Sequence, residues 1–318
     1  MNAAPVELAA RHAVDAALHG ASRILVASSG GPDSVALAGV TAWVAQHEGI
    51  TAGAIIVDHQ LQPTSADMTR TAATGCVAVG LDPVLVRAVE VGSDGGLEAA
   101  ARAARYAALA EAAEEFGADA VLLGHTRDDP AETVLLRLLR GSGARSLAGM
   151  RAVQGIWRRP FLDVSRRDVH QVADAIAARH DIAIVRDPHN TDPAFARVRV
   201  RALLEQWSDR DAAVAGLARS AQLLGDDADY LDACAQDVSQ QLVRASSAEA
   251  STLAALPRAL RTRVLRLMAL DAGAPSGVLT HDHIVAIDAL VTDWHGQGEI
   301  ALPGGVRAWR EYGRLRIQ

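Results

Sequence analysis

Lysine is absent from this chain: all 31 basic residues among its 318 are arginine. That excludes a catalytic lysine, a Schiff base and the lysine of a Walker-type phosphate loop. Alanine makes up about a fifth of the residues, so both biases read as the composition of the encoding genome. Cysteine is nearly absent. Cys76 and Cys234 are too few for a disulfide framework or a thiolate zinc site, and too far apart for a CxxC redox pair. No stretch approaches the roughly 18 consecutive apolar residues of a membrane span. Residues 1–20 carry Glu7 and Asp15 and lack the basic start of a signal peptide. What is present, 50% hydrophobic and 22% charged residues, is the balance of a globular protein with more than one domain. The expectation is a cytoplasmic enzyme or binding protein with no membrane partner.

A net charge of −7 argues against a protein that coats nucleic acid indiscriminately. The distribution is uneven, however. Between positions 137 and 201, thirteen arginines stand against six aspartates and no glutamate. An acid-free run carries Arg258, Arg261, Arg263 and Arg266, and the tail carries Arg307, Arg310, Arg314 and Arg316. Scattered surface arginine is the plain alternative, but the local excess permits an anionic partner.

Short apolar runs at 23–27, 52–57, 83–89 and 118–123 read as strands, and 35–47, 97–116, 128–140 and a stretch from about Ser65 as helices. This alternation predicts an α/β fold, a doubly wound parallel sheet that binds ligands at the carboxyl ends of its strands. Residues 141–157 read as a loop, Ser165 as the N-cap of a helix, 182–185 as a last strand and 194–207 as a helix. From about 208 the pattern turns to long helices at 211–244, 253–272 and 280–292, with short strands from 299 to 317. A first domain over 1–210 and a smaller, mainly helical one over 211–318 are expected.

The strongest chemical feature is Ser29-Gly30-Gly31-Pro32-Asp33-Ser34, set between a strand and a helix. Two glycines let the backbone approach a ligand closely, and loop amides with the positive helix end form an anion nest. A carboxylate in a phosphate nest needs a bridging cation, so Asp33 implies Mg²⁺.

This hexapeptide resembles the SGGxDS loop of the N-type ATP pyrophosphatases, the PP-loop family, whose fold is Rossmann-like (adenine nucleotide α-hydrolase-like). Val57-Asp58-His59-Gln60-Leu61, Leu97-Glu98 with Arg102, Arg105 and Tyr106, and Gly124-His125-Thr126-Arg127-Asp128-Asp129-Pro130-Ala131-Glu132-Thr133 follow in order. Then come Leu138 to Gly143, Arg159-Pro160-Phe161-Leu162, Asp187 with Asn190, and Arg197-Val198-Arg199-Val200-Arg201. The ordered set is similar to the bacterial tRNA(Ile)-lysidine synthetases over 22–205, and Leu302-Pro303-Gly304-Gly305 resembles the end of their C-terminal domain. Gln62, Pro130 and Val198 depart from the family's usual arginine, glutamine and asparagine. The extra C-terminal domain of longer members is expected to be missing, leaving the tRNA contacts to the shorter set.

The resemblance implies an ATP-dependent ligase acting on tRNA(Ile) with a CAU anticodon. The wobble cytidine is adenylated with release of pyrophosphate, then the ε-amine of free L-lysine attacks C2 and expels AMP. It implies Ser29, Gly30, Gly31, Pro32, Asp33, Ser34, Asp58, His59 and His125 at ATP, with Asp33 holding Mg²⁺. Asp33, Arg105, Asp129 and Glu132 are the expected catalytic residues. Asp129 and Glu132, three apart on a helix, suit an ammonium, and Arg102 or Arg105 its α-carboxylate. Arg197, Arg199 and Arg201 are spaced to fan around a helix, at least one meeting the anticodon arm. Dimers fit the family. The competing readings are another tRNA-modifying enzyme of the PP-loop family, such as a thiolase, for which Cys76 and Cys234 supply no motif, and a non-catalytic nucleotide-binding module.

Overall fold

Strand β1 (Arg23–Ala27) is buried along almost its whole length, and its alternate residues serve two different cores. Ile24 and Val26 join one cluster, Leu25 and Ala27 another. Such a strand is covered on both faces, as a central parallel strand must be. The computed structural model describes residues 4–60, 62–92 and 96–318, with the backbone alone of Leu97 and Glu98. Leu61 and the Glu98 side chain, both named in the motifs above, therefore lie outside the described residues.

The chain divides into two units, Met1–Leu223 and Leu224–Gln318. In the first, α1 (Pro5–Leu18) precedes β1, and α2 (Pro32–Glu48), β2 (Thr51–Asp58), α3 (Ser65–Ala78) and β3 (Val84–Ala88) follow it. Next come α4 (Leu97–Phe116), β4 (Ala120–Leu123), α5 (Asp128–Leu138), α6 (Ala144–Leu147), β5 (Val153–Gln154) and β6 (Trp157–Arg158). Helices α7 (Arg166–His180), α8 (Ala196–Glu205) and α9 (Arg210–Leu242) complete the run, and the division between units falls inside α9. The sheet order is β3-β2-β1-β4-β6-β5, parallel except for β5 against β6. The chain leaves β1 toward β2 on one side and returns to β4 on the other. This is the switch point where doubly wound sheets open a crevice.

Helices α1, α2, α3 and α7 cover one face through Val14, Leu37, Cys76 and Ile176, and α4 covers the other through Leu109 and Ala112. Gly39 lets α7 approach α2 closely. A Cβ there would stand 2.6 Å from Ile176 Cδ1 and Cγ2.

Two expectations need correction. Residues 182–185 form no strand. The backbone N–H of Val185 donates to Gly30 O at 2.8 Å instead, while Ile182 and Ile184 pack on the core. The apolar run is a plug over the glycine loop, and the last parallel strand is β6. The stretch 141–157 is not only loop, since it contains α6 and β5 and leads into β6.

In the second unit, β7 (Ser247–Glu249), α10 (Ala250–Ala255), α11 (Arg258–Asp271) and α12 (His281–Thr292) precede β8 (Ile300–Ala301), β9 (Arg307–Glu311) and β10 (Arg314–Ile317). The strands form an antiparallel sheet of order β7-β10-β9-β8, with Leu253, Val264, Leu265, Ile287, Leu315 and Ile317 in its core. Most of the arginines noted in this unit are engaged internally. Arg261 pairs with Asp288 at 2.6 Å, Arg263 with Asp232 at 2.7 Å, Arg307 with Glu299 at 3.2 Å and Arg314 with Glu249 at 3.1 Å. Arg310 lies over Trp294, 5.5 Å from the ring centroid.

Candidate active site

The loop after β1 is shaped by its own small side chains. Gly30 takes a left-handed φ of 75°, and a Cβ there would meet Val185 Cγ2 at 2.6 Å, so only glycine fits. The N–H of Ser29 donates to Ser34 Oγ at 3.2 Å, that hydroxyl donates to Gly31 O at 2.9 Å, and the N–H of Gly30 donates to Ser28 Oγ at 3.3 Å. Gly31 is the N-cap of α2 and supplies no capping side chain, with Pro32 in the first turn. The positive end of α2 is therefore open to an anion. Gly124 closes the site from β4, where a Cβ would stand 3.1 Å from Asp33 O. Asp33 Oδ1 is buried and accepts no hydrogen bond from the described residues, and His170 Nε2 stands 3.1 Å from it.

Beside this loop, the first turns of α5 present Asp128, Asp129 and Glu132 to arginines of later helices. Asp128 is 1% exposed. Its Oδ2 accepts the backbone N–H of Arg166 at 2.9 Å, and its Oδ1 accepts from Arg210. Asp129 Oδ2 accepts the Thr126 N–H at 2.7 Å and the Thr126 hydroxyl at 3.1 Å, and its Oδ1 accepts from Arg166 Nη2 at 3.3 Å. Glu132, also 1% exposed, accepts from Arg166 Nη1 at 2.6 Å and Arg201 Nε at 2.9 Å. Burial works to raise all three carboxyls, but the outcomes differ. For Asp128 the Arg166 amide and guanidinium and Arg210 outweigh burial and hold it below the usual range. For Glu132, Arg166 and Arg201 do the same. Asp129 ends above its ordinary value, because the charges of Glu132 and Asp33 add to burial.

The acidic pair expected to hold an ammonium is thus only half open. Both Glu132 oxygens are occupied by arginines of the same chain, and Glu132 is closed to a ligand in this geometry. Asp129, its side chain 13% exposed, is the more accessible of the two, with Thr126 and Arg166 each holding one of its oxygens. Arg201, expected at the anticodon arm, is committed to Glu132 instead. Arg199 donates to Pro193 O at 2.8 Å and Ala194 O at 2.7 Å. The fan leaves Arg197 as the member whose charge reaches His125 and Arg137.

Around His125 the chain gathers positive charge. The His125 pKa is pushed well below its ordinary value by burial, then by Arg105, Arg159, Arg102 and Arg197. Burial followed by Arg105 lowers His59 likewise, against the opposing charge of Asp58. Arg105 is itself lowered, chiefly by burial and further by Arg102, with Tyr106 opposing. The Nδ1 atoms of His59 and His125 and the Nε of Arg159 are buried without a hydrogen-bond partner among the described residues. Arg159, 3% exposed, donates to Arg151 O at 2.7 Å and Tyr106 Oη at 3.4 Å. Arg102 lies over the Tyr106 ring, 4.9 Å from its centroid. Among the described residues, no carboxylate pairs with Arg102, Arg105, Arg159 or Arg197. Arg159 is buried, Arg105 and Arg197 are half-buried and Arg102 is exposed; such a group of like charges suits an anion.

Asp58 Oδ1 accepts the Gln60 N–H at 2.9 Å and the Ser65 hydroxyl, so it braces its own turn at the end of β2. Gln62, one of the departures from the family pattern, donates to Asp187 Oδ1 at 3.0 Å and thereby ties this turn to the Asp187–Asn190 segment. Sequence reasoning assigned no role to Arg166, His170 or Arg159. The Ser165 cap was its one pointer toward Arg166, and the Arg-Pro-Phe-Leu motif its pointer toward Arg159.

Comparison with known proteins agrees with this geometry. The model of the PP-loop domain matches residues 5–207, and that of the TilS substrate binding domain matches 249–316. A tRNA(Ile)-lysidine synthase of Thermobifida fusca is 53% identical, covering 93% of this chain and 91% of its own. Its counterpart from Streptomyces coelicolor is 50% identical over 93% and 85%, and that from Salinispora tropica 46% over 98% and 95%. In fold alone, a U34-tRNA thiolase from Methanococcus maripaludis superposes with a TM-score of 0.56 at 15% identity, covering 70% of this chain and 78% of that one.

Proposed function

The chain belongs to the PP-loop family and within it to the tRNA(Ile)-lysidine synthases, and from that premise we propose that it joins free L-lysine to the wobble cytidine of a CAU-anticodon tRNA(Ile). ATP is the activating substrate, and AMP and pyrophosphate are the products. The observation that carries the reading is that the phosphate loop and the acidic helix share one site. A Cβ on Gly124, at the head of the segment that leads into α5, would stand 3.1 Å from Asp33 O.

In the first half-reaction, cytidine O2 attacks the α-phosphate. Charge grows on the phosphoryl oxygens, where the loop amides and the open end of α2 are already oriented. The buried Asp33 Oδ1, which accepts no hydrogen bond from the described residues, fits a hard cation. Magnesium bound there would offset the phosphate charge. The unpaired Arg105 and Arg159, with neutral His125, stand ready for phosphate, ribose or substrate carboxylate.

The second half-reaction needs a neutral amine, whereas lysine arrives as an ammonium. Asp129 is the side chain suited to hold it and take its proton, since its raised pKa makes it the more basic carboxylate of the pair. Arg102 or Arg105 forks to the lysine α-carboxylate, and Arg197 faces the anticodon arm. Residues 1–210 form the adenylating domain and 211–318 contribute further tRNA contacts. A homodimer and a cytoplasmic location complete the proposal. No helix among the described residues is long and apolar enough to cross a membrane. Thiolation is not favoured: Cys76 is buried in α3 with its thiol pushed up by burial, and Cys234 lies in α9.

The test is transfer of radiolabelled lysine to unmodified tRNA(Ile) with ATP and Mg²⁺. Labelling that vanishes when the wobble cytidine is replaced supports the proposal. Pyrophosphate release without lysine transfer would overturn it and point to another nucleophile.

A further inference from the structure

We propose that the first turns of α7 form a positioning edge that serves both half-reactions, with Arg166 orienting Asp129 and His170 orienting Asp33. This rests on the lysidine-forming reading above and assigns work to two residues that reading does not use. Arg166 and His170 are one helical turn apart and so lie on one face of α7. From that face, Arg166 reaches Asp129 at 3.3 Å and Glu132 at 2.6 Å, and His170 Nε2 reaches Asp33 Oδ1 at 3.1 Å. One rigid element therefore touches a carboxylate on each side of the site.

The edge is anchored independently of those contacts. Ser165 caps α7, its Oγ accepting the Asp168 N–H at 3.1 Å. Asp128 accepts the Arg166 N–H at 2.9 Å, and the Arg127 N–H donates to Val164 O at 2.9 Å, fastening the start of α7 to the start of α5. Further along, Ile176 locks against Gly39 of α2, the helix that carries Asp33. The spacing between the phosphate loop and α5 is thus referred to α7 at both ends.

The two contacts differ in kind. Arg166 is 12% exposed, and its planar fork bridges two carboxylates, a geometry an ammonium does not reproduce. Thr126 holds one Asp129 oxygen and Arg166 the other, so the rotation of this carboxylate is set. His170 and Asp33 are 42% and 31% exposed, leaving that contact open to incoming ligand. Each residue acts through a carboxylate, and neither is assigned to touch reacting atoms.

The experiment measures the half-reactions separately in the full-length enzyme. These are tRNA-dependent pyrophosphate release without lysine, and the KM and kcat for lysine transfer. Arg166→Lys is expected to raise the lysine KM about tenfold, as loss of a charge-assisted hydrogen bond would, with pyrophosphate release within about twofold of wild type. His170→Ala is expected to lower pyrophosphate release about tenfold with the lysine KM little changed. If Arg166→Lys does not fold, Arg166→Gln, which keeps an N–H donor, carries the same test. Equal losses in both half-reactions, or no loss in either, overturn the proposal. Wild-type enzyme that transfers no lysine would instead overturn the functional reading itself.

Discussion

Along α5 the carboxylates of Asp128, Asp129 and Glu132 are answered by Arg166, Arg201 and Arg210. Around His125, in the same unit, Arg102, Arg105, Arg159 and Arg197 lower its pKa together, and no described carboxylate answers them. A paired buried charge fixes geometry, and removing one partner leaves the other stranded in a poorly solvated place. An unpaired one strains the ligand-free protein and is relieved by a ligand of opposite sign. The first arrangement aligns helices; the second suits an anion.

The largest expected effect breaks the paired side. Arg166→Met leaves Asp129 without a cation and Glu132 with Arg201 alone, and should cost about 3–5 kcal/mol of folding free energy, read by urea unfolding. A loss under about 1 kcal/mol would show that the network does not hold the helices. Next, Asp33→Asn should leave the melting temperature within a few degrees while pyrophosphate release falls about a hundredfold, the scale of losing one oriented electrostatic contact. Near-normal release would remove Asp33 from the metal role.

A pH titration sharpens the contrast. The folded Asp128 and Glu132 carboxyls lie below their ordinary values. Their stabilisation is therefore complete above the unfolded pKa and is lost as pH falls through the folded values, in the acid range. His125 behaves as a buried neutral base with a folded pKa below 6.5. Below that pH the unfolded chain takes up a proton that the folded chain refuses, and stability falls as pH drops from 7 toward 5. Unfolding free energies at the two ends of that window should differ by about 1 kcal/mol more in wild type than in His125→Gln. The smallest effect is Arg199→Ala, whose side chain returns to its own helix start. Activity should change less than about twofold and stability less than about 0.5 kcal/mol.

The phosphate loop was legible because everything that defines it is local: a strand, two glycines, a proline in the first helical turn and an aspartate, within a dozen residues. The parallel sheet followed from apolar runs alternating with helices. The partners of the acidic pair were not legible. Arg166 lies 34 residues from Glu132 and Arg201 lies 69, and same-face spacing of two carboxylates does not say whether the cation between them belongs to a ligand or to the chain. Residues 182–185 misled for a related reason. An apolar run of strand length packs equally well as a plug, and its single backbone bond to Gly30 is set by tertiary contact rather than by pattern.

The most direct test of the division between paired and unpaired charge is the thermal unfolding of Arg105→Met without nucleotide, measured alongside its lysine transfer. Methionine keeps much of the volume and removes a charge that burial and Arg102 both disfavour. The expected result is a melting temperature equal to or above wild type, with lysine transfer reduced at least about tenfold. A variant that melts several degrees lower yet transfers lysine normally would show that Arg105 supports the fold rather than the anion, contradicting the account.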